Sequence, residues 1–387
     1  MGRVNEEVIY LDHAAATPVD QKVLAAMQPF FSDNFYNPSA PYAPAIQVRH
    51  EYEAAKQTIA RAIGAKSDDL VMTAGATESI NLAFSSISGH IVTSAIEHHA
   101  VLAAAKRHDT TFVEPDEKGM VSAQKIKDAI RPDTQLVSIA LANNELGTIQ
   151  PLRDIAEVVR NEREARLSRG DHTPLYFHSD ASQGVGQLDV NVARLGLDML
   201  TLNAAKVYGP KQVGVLWASS AVVLSPSILG GGQERGLRSG TENVAGVIGF
   251  AKAIELASAH RKFESERLQK LRDAMQKKLT EAFPEAIMSG NQKHRLAGHL
   301  HISFPKLDAE RVLFALEMRG VLVATGSACA ANKGTRSHVL TAIGLAPEVA
   351  DGSLRLTFGH LSTEDNTERA TQLIIEEVTK EYQRSAK

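Results

Sequence analysis

The chain has 387 residues, 43% of them hydrophobic, with 42 basic against 45 acidic residues and a formal net charge of -3. That length and apolar content predict two or more domains with large cores and a cleft, and the near balance of charge excludes a global field for nucleic acid, so any partner contact has to be a local patch. The single cysteine, Cys329, excludes an intramolecular disulfide and any Cys-rich zinc site, which suits a reducing cytosol and leaves the thiol free for chemistry.

The N-terminal stretch MGRVNEEVIYLDH has no apolar h-region, and residue 6 is Glu where a myristoylation signal needs Ser or Thr. No stretch of the chain is apolar for long enough to span a bilayer, so a cytoplasmic protein without membrane contact is expected. From about residue 45 to 245, helical periodicity alternates with seven apolar or β-branched runs: LVMTAG, HIVTSA, TTFVEP, QLVSIALANN, PLYFHSD, MLTLNAA and VGVLWA. Such a βαβ series predicts an α/β fold with a mostly parallel sheet covered on both faces. Farther on, FESERLQKLRDAMQKKL has apolar residues at 263, 268, 271, 275 and 279, the spacing of a one-faced helix. The runs HLHISF, GVLVAT and SLRLTF follow with helices between them, which predicts a smaller α+β domain that contains the cysteine loop.

Ligands of parallel sheets sit beyond the carboxyl ends of the strands, so the residues just after each run carry the functional signal. The turn into the helix near Thr77 is small-residue, with Gly75 and Ala76, and makes a phosphate cradle of the helix N-terminus; its plain alternative is a cap completed by Thr77 or Glu78. It matches neither GxxxxGK[ST] nor GxGxxG. His98, in EHHAV, offers an imidazole that titrates near neutral pH, against the alternative of two polar helix-start residues. Zinc is disfavoured because HExxH is absent. Asp180 ends a buried strand, where a carboxylate needs a cation such as a protonated pyridine nitrogen, or else caps the next helix. Lys206 follows Ala204 and Ala205, whose small side chains leave room for a planar ring beside a desolvated, nucleophilic amine; a lone lysine is otherwise surface. An amine, a carboxylate for a pyridinium, a phosphate-type helix start and an imidazole, all at strand ends of one sheet, are the parts of a pyridoxal phosphate site. In ATGSACAANKG, residues 324 to 334, Cys329 sits among side chains too small to bury it, which is the setting of a reactive thiol.

The segments YLDHAAATP (10 to 18), GATESINLA (75 to 83), EHHAVL (97 to 102), NNELGTIQP (143 to 151), DASQGVG (180 to 186), KVYGPKQVG (206 to 214), GGGQERGLRSGTENV (230 to 244), GSACA (326 to 330) and SLRLTFG (353 to 359) together resemble cysteine desulfurases. These are pyridoxal phosphate enzymes of the class V aminotransferase group, and the chain resembles the type that serves iron-sulfur cluster assembly and tRNA thiolation. The resemblance implies fold type I, with a seven-stranded, mostly parallel sheet in a large domain over 16–245 and a small domain made of 1–15 and 246–387, its mobile cysteine loop at about 324–340. It implies Lys206 as the lysine that binds the cofactor covalently, Asp180 as partner of the pyridine nitrogen, Gln183 on the ring oxygen, and His98 stacked on the ring and moving protons. Ala76, Thr77 and Asn203 would hold phosphate, and Thr241 would reach the phosphate of a neighbouring subunit, which implies a homodimer. Asn144 would orient substrate and cofactor, Asn37 would help bind substrate near the entrance, and Arg355 would pair with the substrate carboxylate. Cys329 would attack the sulfur of L-cysteine and carry it as a persulfide to acceptor proteins such as an iron-sulfur scaffold or a tRNA-thiolation enzyme, with Lys333, Arg336 and His338 lowering its pKa from about 8.5.

Three positions depart from that family. Asn203, Ala204 and Ala205 stand where Ser-x-His usually precedes the lysine, which predicts weaker cofactor retention because Ala205 offers no side-chain hydrogen bond. Ala16 replaces a common threonine, and YNPSAPYAPA keeps Asn37 and Pro38 but not the usual Ser-x-His after them. The competing expectations are a relative acting on selenocysteine or another amino acid, for which Cys329 is dispensable, and a catalytically impaired scaffold.

Overall fold

The computed structural model describes residues 8–326 and 336–385; Cys329 and Lys333 lie outside the described residues. In chain order the strands are β1 (Ile9–Tyr10), β2 (Leu70–Thr73), β3 (His90–Ser94), β4 (Thr110–Val113), β5 (Thr134–Ser138), β6 (Tyr176–Asp180), β7 (Met199–Asn203), β8 (Gly214–Ala218), β9 (Ile287–Met288), β10 (His299–Ser303), β11 (Val321–Leu322) and β12 (Ser353–Thr357). The seven apolar runs of the first half become β2 to β8 and form one sheet in the order β2-β8-β7-β6-β5-β3-β4. Only β8 runs against its neighbours, β2 and β7; the other pairs are parallel. The expected α/β sheet is therefore present.

Its strands are buried on both faces, which is why they read as continuous apolar runs. Leu70, Met72, Val215 and Trp217 pack into the core on one face, while Val71, Leu216 and Ala218 pack into the core on the other, a strict period of two. Truncating one of the fully buried leucines, such as Leu200, to alanine removes about 2–5 kcal/mol by the usual cost of a core cavity. One buried polar set links the central strands: the His178 ring lies 2.9 Å from Ser138 Oγ and 3.0 Å from Thr201 Oγ1, joining β5, β6 and β7. Burial pushes His178 down to about 4, so it is a neutral structural group at ordinary pH.

The second body has an antiparallel sheet, β12-β10-β9, and a parallel pair of β1 with β11. The run GVLVAT thus contributes a two-residue strand that pairs with the N-terminal segment. The helix Val244–Ala282 joins the two bodies. Val244, Val247, Phe250 and Ile254 enter the core of the large sheet, and Leu268, Leu271, Met275 and Leu279 enter the core of the small one. The apolar stripe changes partner along the helix, so the one-faced pattern beginning at 263 captured only its second half. No helix among the described residues is long and apolar enough to cross a membrane.

Candidate active site

A cavity of about 230 Å³ opens at the carboxyl ends of the parallel strands, where the two bodies meet. Its wall includes Ala76, Thr77, His98, Asn144, Asp180, Gln183, Asn203, Lys206 and Arg355, so nine of the residues singled out from the sequence converge on one space. Two others do not line it. Asn37 is exposed and its side-chain oxygen accepts from the backbone N–H of Ser39 at 2.9 Å, and Thr241 is exposed in the segment before the long helix. Cys329 lies outside the described residues.

Each side chain is placed by local backbone chemistry. After β2 the chain turns at Gly75, whose φ of +127° suits glycine, and enters the helix Ala76–Ser85. A Cβ on Gly214, at the start of β8, would lie 2.6 Å from the Gly75 backbone, so the two glycines let strand and turn meet directly. No side chain caps this helix; Glu78 instead accepts from Ala74 N–H at 3.0 Å and pairs with Arg238 at 2.8 Å. The first N–H groups of the helix therefore start uncapped beside the cavity that Ala76 and Thr77 line, an anion-binding arrangement.

Across the cavity, Asp180 ends β6 and its Oδ1 accepts from Ser182 N–H at 3.0 Å. Asn203 ends β7 and uses its side-chain oxygen on Ala205 N–H at 3.1 Å, a bond that fixes the short turn leading to Lys206. Lys206 Nζ donates to the carbonyls of Ala14 and Ala15, each at 2.7 Å, and Gln183 Nε2 donates to Ala14 O at 3.0 Å. The segment 13–17 is thus one wall of the site, held in turn by Tyr10, whose hydroxyl reaches the carbonyls of Asp12 at 2.8 Å and Ala16 at 2.9 Å. His98 caps the helix His99–Ala105 by accepting from Ala100 N–H on Nδ1 at 3.1 Å. Burial lowers its pKa below the ordinary 6.5, and Lys206 pulls the same way against the opposing charge of Asp180. The imidazole is therefore neutral at pH 7, with Nδ1 as its acceptor and the proton on Nε2.

Arg355 reaches the cavity from β12 of the small sheet. It is 2% exposed; NH2 pairs with Asp12 Oδ1 at 2.6 Å, NH1 donates to Asn144 O at 3.2 Å, and Nε has no partner among the described residues. A fork of donors is thus held at the edge of the space by residues of both bodies.

These residues suit pyridoxal phosphate. The alanines at 14, 15, 76, 140 and 142 keep much of the lining small, and the uncapped helix start, the carboxylate that ends β6 and the lysine amine line the same space. Sequence reasoning assigned no part to the Ala14 and Ala15 carbonyls, to Asp12 or to Asn143, although all four stand inside segments it singled out. Backbone acceptors carry no residue signature, and Asp12 acts only through a partner 343 positions away.

A family model described as aminotransferase class-V matches residues 9–369. A cysteine desulfurase IscS of Dictyoglomus turgidum is 40% identical over 370 residues, covering 92% of this chain and 91% of the relative. One from Methanosarcina thermophila is 37% identical and covers 97% of this chain and 93% of its own. Among solved structures, a NifS-like protein superposes with a TM-score of 0.88 at 30% identity, covering 96% of this chain and 99% of that one. A structure described as SspA in complex with cysteine gives a TM-score of 0.76 at 37% identity, with 90% and 98% covered.

Proposed function

The chain belongs to the class V aminotransferase family, and from that premise we infer that it is a cysteine desulfurase dependent on pyridoxal phosphate, which converts L-cysteine to L-alanine and takes up the sulfur. The observation that carries the reading is the convergence of Lys206, Asp180, His98 and Arg355 on one cavity. When bound, pyridoxal phosphate supplies the electron sink that lets bonds at Cα and Cβ of the amino acid break.

The chain's own residues divide the remaining work. Lys206 would hold the cofactor covalently and, when released, can rest on the Ala14 and Ala15 carbonyls. Asp180 would keep the ring nitrogen protonated, and the helix starting at Ala76 would hold the phosphate by its N–H groups and dipole. Gln183 has a second amide N–H to offer the ring oxygen. Asn203 would contribute at the phosphate side and Asn144 would orient substrate against the ring. The Arg355 fork would bind the substrate carboxylate, and neutral His98 would stack on the ring and move protons. The thiolate of Cys329 would attack the substrate sulfur; an S–S bond forms as the Cβ–S bond breaks, which leaves a persulfide on Cys329 and alanine as product.

Thr241 and Asn37 are exposed, and large apolar side chains near them in sequence are exposed too: Phe31 is 63%, Phe35 66% and Leu229 82% accessible. Such exposure supports a homodimer in which Thr241 reaches the partner's phosphate site. Sulfur-acceptor proteins, an iron-sulfur scaffold or a tRNA-thiolation enzyme, are the partners that a carried persulfide requires, and a chain with one cysteine suits the cytosol. The test is release of alanine and sulfide from L-cysteine with pyridoxal phosphate and a reductant. Equal amounts are expected from the native protein and none from Lys206→Ala or Cys329→Ala; an active Cys329→Ala would show a lyase of another kind.

A further inference from the structure

Glu97 is 2% exposed, stands directly before His98, and has no part in the chemistry above. Its carboxylate lies between the ends of β3 and β5. Oε1 accepts from Ser94 Oγ at 2.7 Å and from Ala140 N–H at 3.0 Å, and Oε2 receives the same N–H at 3.2 Å. The turn after β3 supplies Ile96 and His98 to the cavity wall, and the turn after β5 supplies Ala140, Ala142, Asn143 and Asn144. A second link joins the two turns, Asn143 Nδ2 donating to Ile96 O at 2.8 Å. From a third direction His338 Nε2, on the helix His338–Ala342, meets Glu97 O at 3.0 Å.

We propose that Glu97 is a positioning residue for the desulfurase reaction, its ionised carboxylate clasping the turn that carries His98 to the turn that carries Asn144. The proposal rests on the desulfurase reading. Every hydrogen bond of this carboxyl in the structure is one it accepts, a pattern that suits the anion. A proton on Oε2 would face the Ala140 N–H at 3.2 Å and would leave Oε1 as a neutral carbonyl accepting from Ser94 and Ala140, so protonation loosens the clasp by replacing charge-assisted hydrogen bonds with neutral ones. Burial pushes Glu97 up to about 7, Asp180 adds to the rise, and the bonds from Ala140 and Ser94 pull the other way. Around it stand His98 in the same turn, Asp180 at the end of β6 and His338 from its helix, with Lys206 and Glu145 acting on His98. The clasp is therefore charged above about pH 7 and weaker below it.

The same ionisation leaves a mark on stability. Because the folded-state value lies above the ordinary 4.5, the bound proton stabilises the fold fully below 4.5, and that stabilisation is lost as pH rises through about 7. Two measurements on native protein, Glu97→Gln and Ser94→Ala read these consequences. The first is kcat/KM for alanine release by the holoenzyme from about pH 5.5 to about pH 9. The second is the Tm of the cofactor-free protein over the same range. The native rate should fall by about tenfold per unit below pH 7. Glu97→Gln, whose amide oxygen can still accept from Ser94 and Ala140 but carries no charge, stands in for the protonated form: it should be slower than native protein above pH 7, lose that limb and keep only the lower one set by His98. Ser94→Ala removes a bond that favours the anion, so its limb should move to higher pH. The Tm of Glu97→Gln should gain on that of native protein as pH rises. An unchanged acid limb in Glu97→Gln overturns the proposal. If native protein releases no alanine, the desulfurase reading fails, and a Tm difference that stays constant with pH overturns the ionisation of Glu97 on its own.

Discussion

The two sides of the cavity are built differently. On the side of the large sheet, Asp180 and Asn203 end strands and Thr77, His98 and Lys206 follow one by a few residues, and three of them have their fixing bonds to backbone within two positions: Asp180 to Ser182, Asn203 to Ala205, His98 to Ala100. On the side of the small sheet, Arg355 is held by Asp12 and by the Asn144 carbonyl, 343 and 211 positions away. The contrast teaches that several residues of the large-sheet side are fixed by single strand turns, whereas the Arg355 fork is set by segments far apart in sequence, Asp12 in its own body and the Asn144 carbonyl across the join. On the first side Lys206 also leans on the distant Ala14 and Ala15 carbonyls.

If that contrast holds, substitutions on the two sides fail in different ways. The largest effect is expected from Asp180→Ala, which removes the charge proposed to face the ring nitrogen: kcat should fall by roughly 10²–10³, the usual scale for losing one well-placed electrostatic group, and cofactor absorbance should weaken as well. Arg355→Lys comes next, replacing a fork by a point charge. It should raise KM for L-cysteine by about 10–100-fold, on the scale of a charge-assisted hydrogen bond, with cofactor absorbance unchanged. Loss of cofactor in this variant would break the contrast. The smallest change is Ala205→His, which restores the family's usual side chain beside the phosphate. It should slow cofactor loss on dialysis by several-fold and leave KM alone; retention equal to that of the native protein would show that Asn203 and the helix N-terminus already suffice.

The same contrast explains what could be read from the chain alone. The seven strands were legible because each is an apolar run bounded by turn residues, and the positions after them were legible because open α/β sheets bind ligands there. Arg355 was reachable only through resemblance, since SLRLTFG by itself reads as an ordinary buried strand. The Asp12 pairing was not legible, because contacts between distant segments leave no periodic trace. Nor were the Ala14 and Ala15 carbonyls as acceptors for Lys206, which any residue type could provide. Glu97 stood in plain view within EHHAV, but its importance lies in Ala140 and Ser94, and burial of a carboxylate is decided by the sheet that surrounds it.

The helix Val244–Ala282 has 39 residues and so runs for about 58 Å at the usual rise per residue. Val244 and Val247 of its first turns share a core with Val213 and Trp217, and Leu279 near its end shares one with Leu300 and Leu356. This makes it a single beam set into two walls. A cut before Ile254 strips apolar surface from one wall and a cut after Leu268 strips it from the other. The two bodies are therefore tied by covalent continuity as well as by contact.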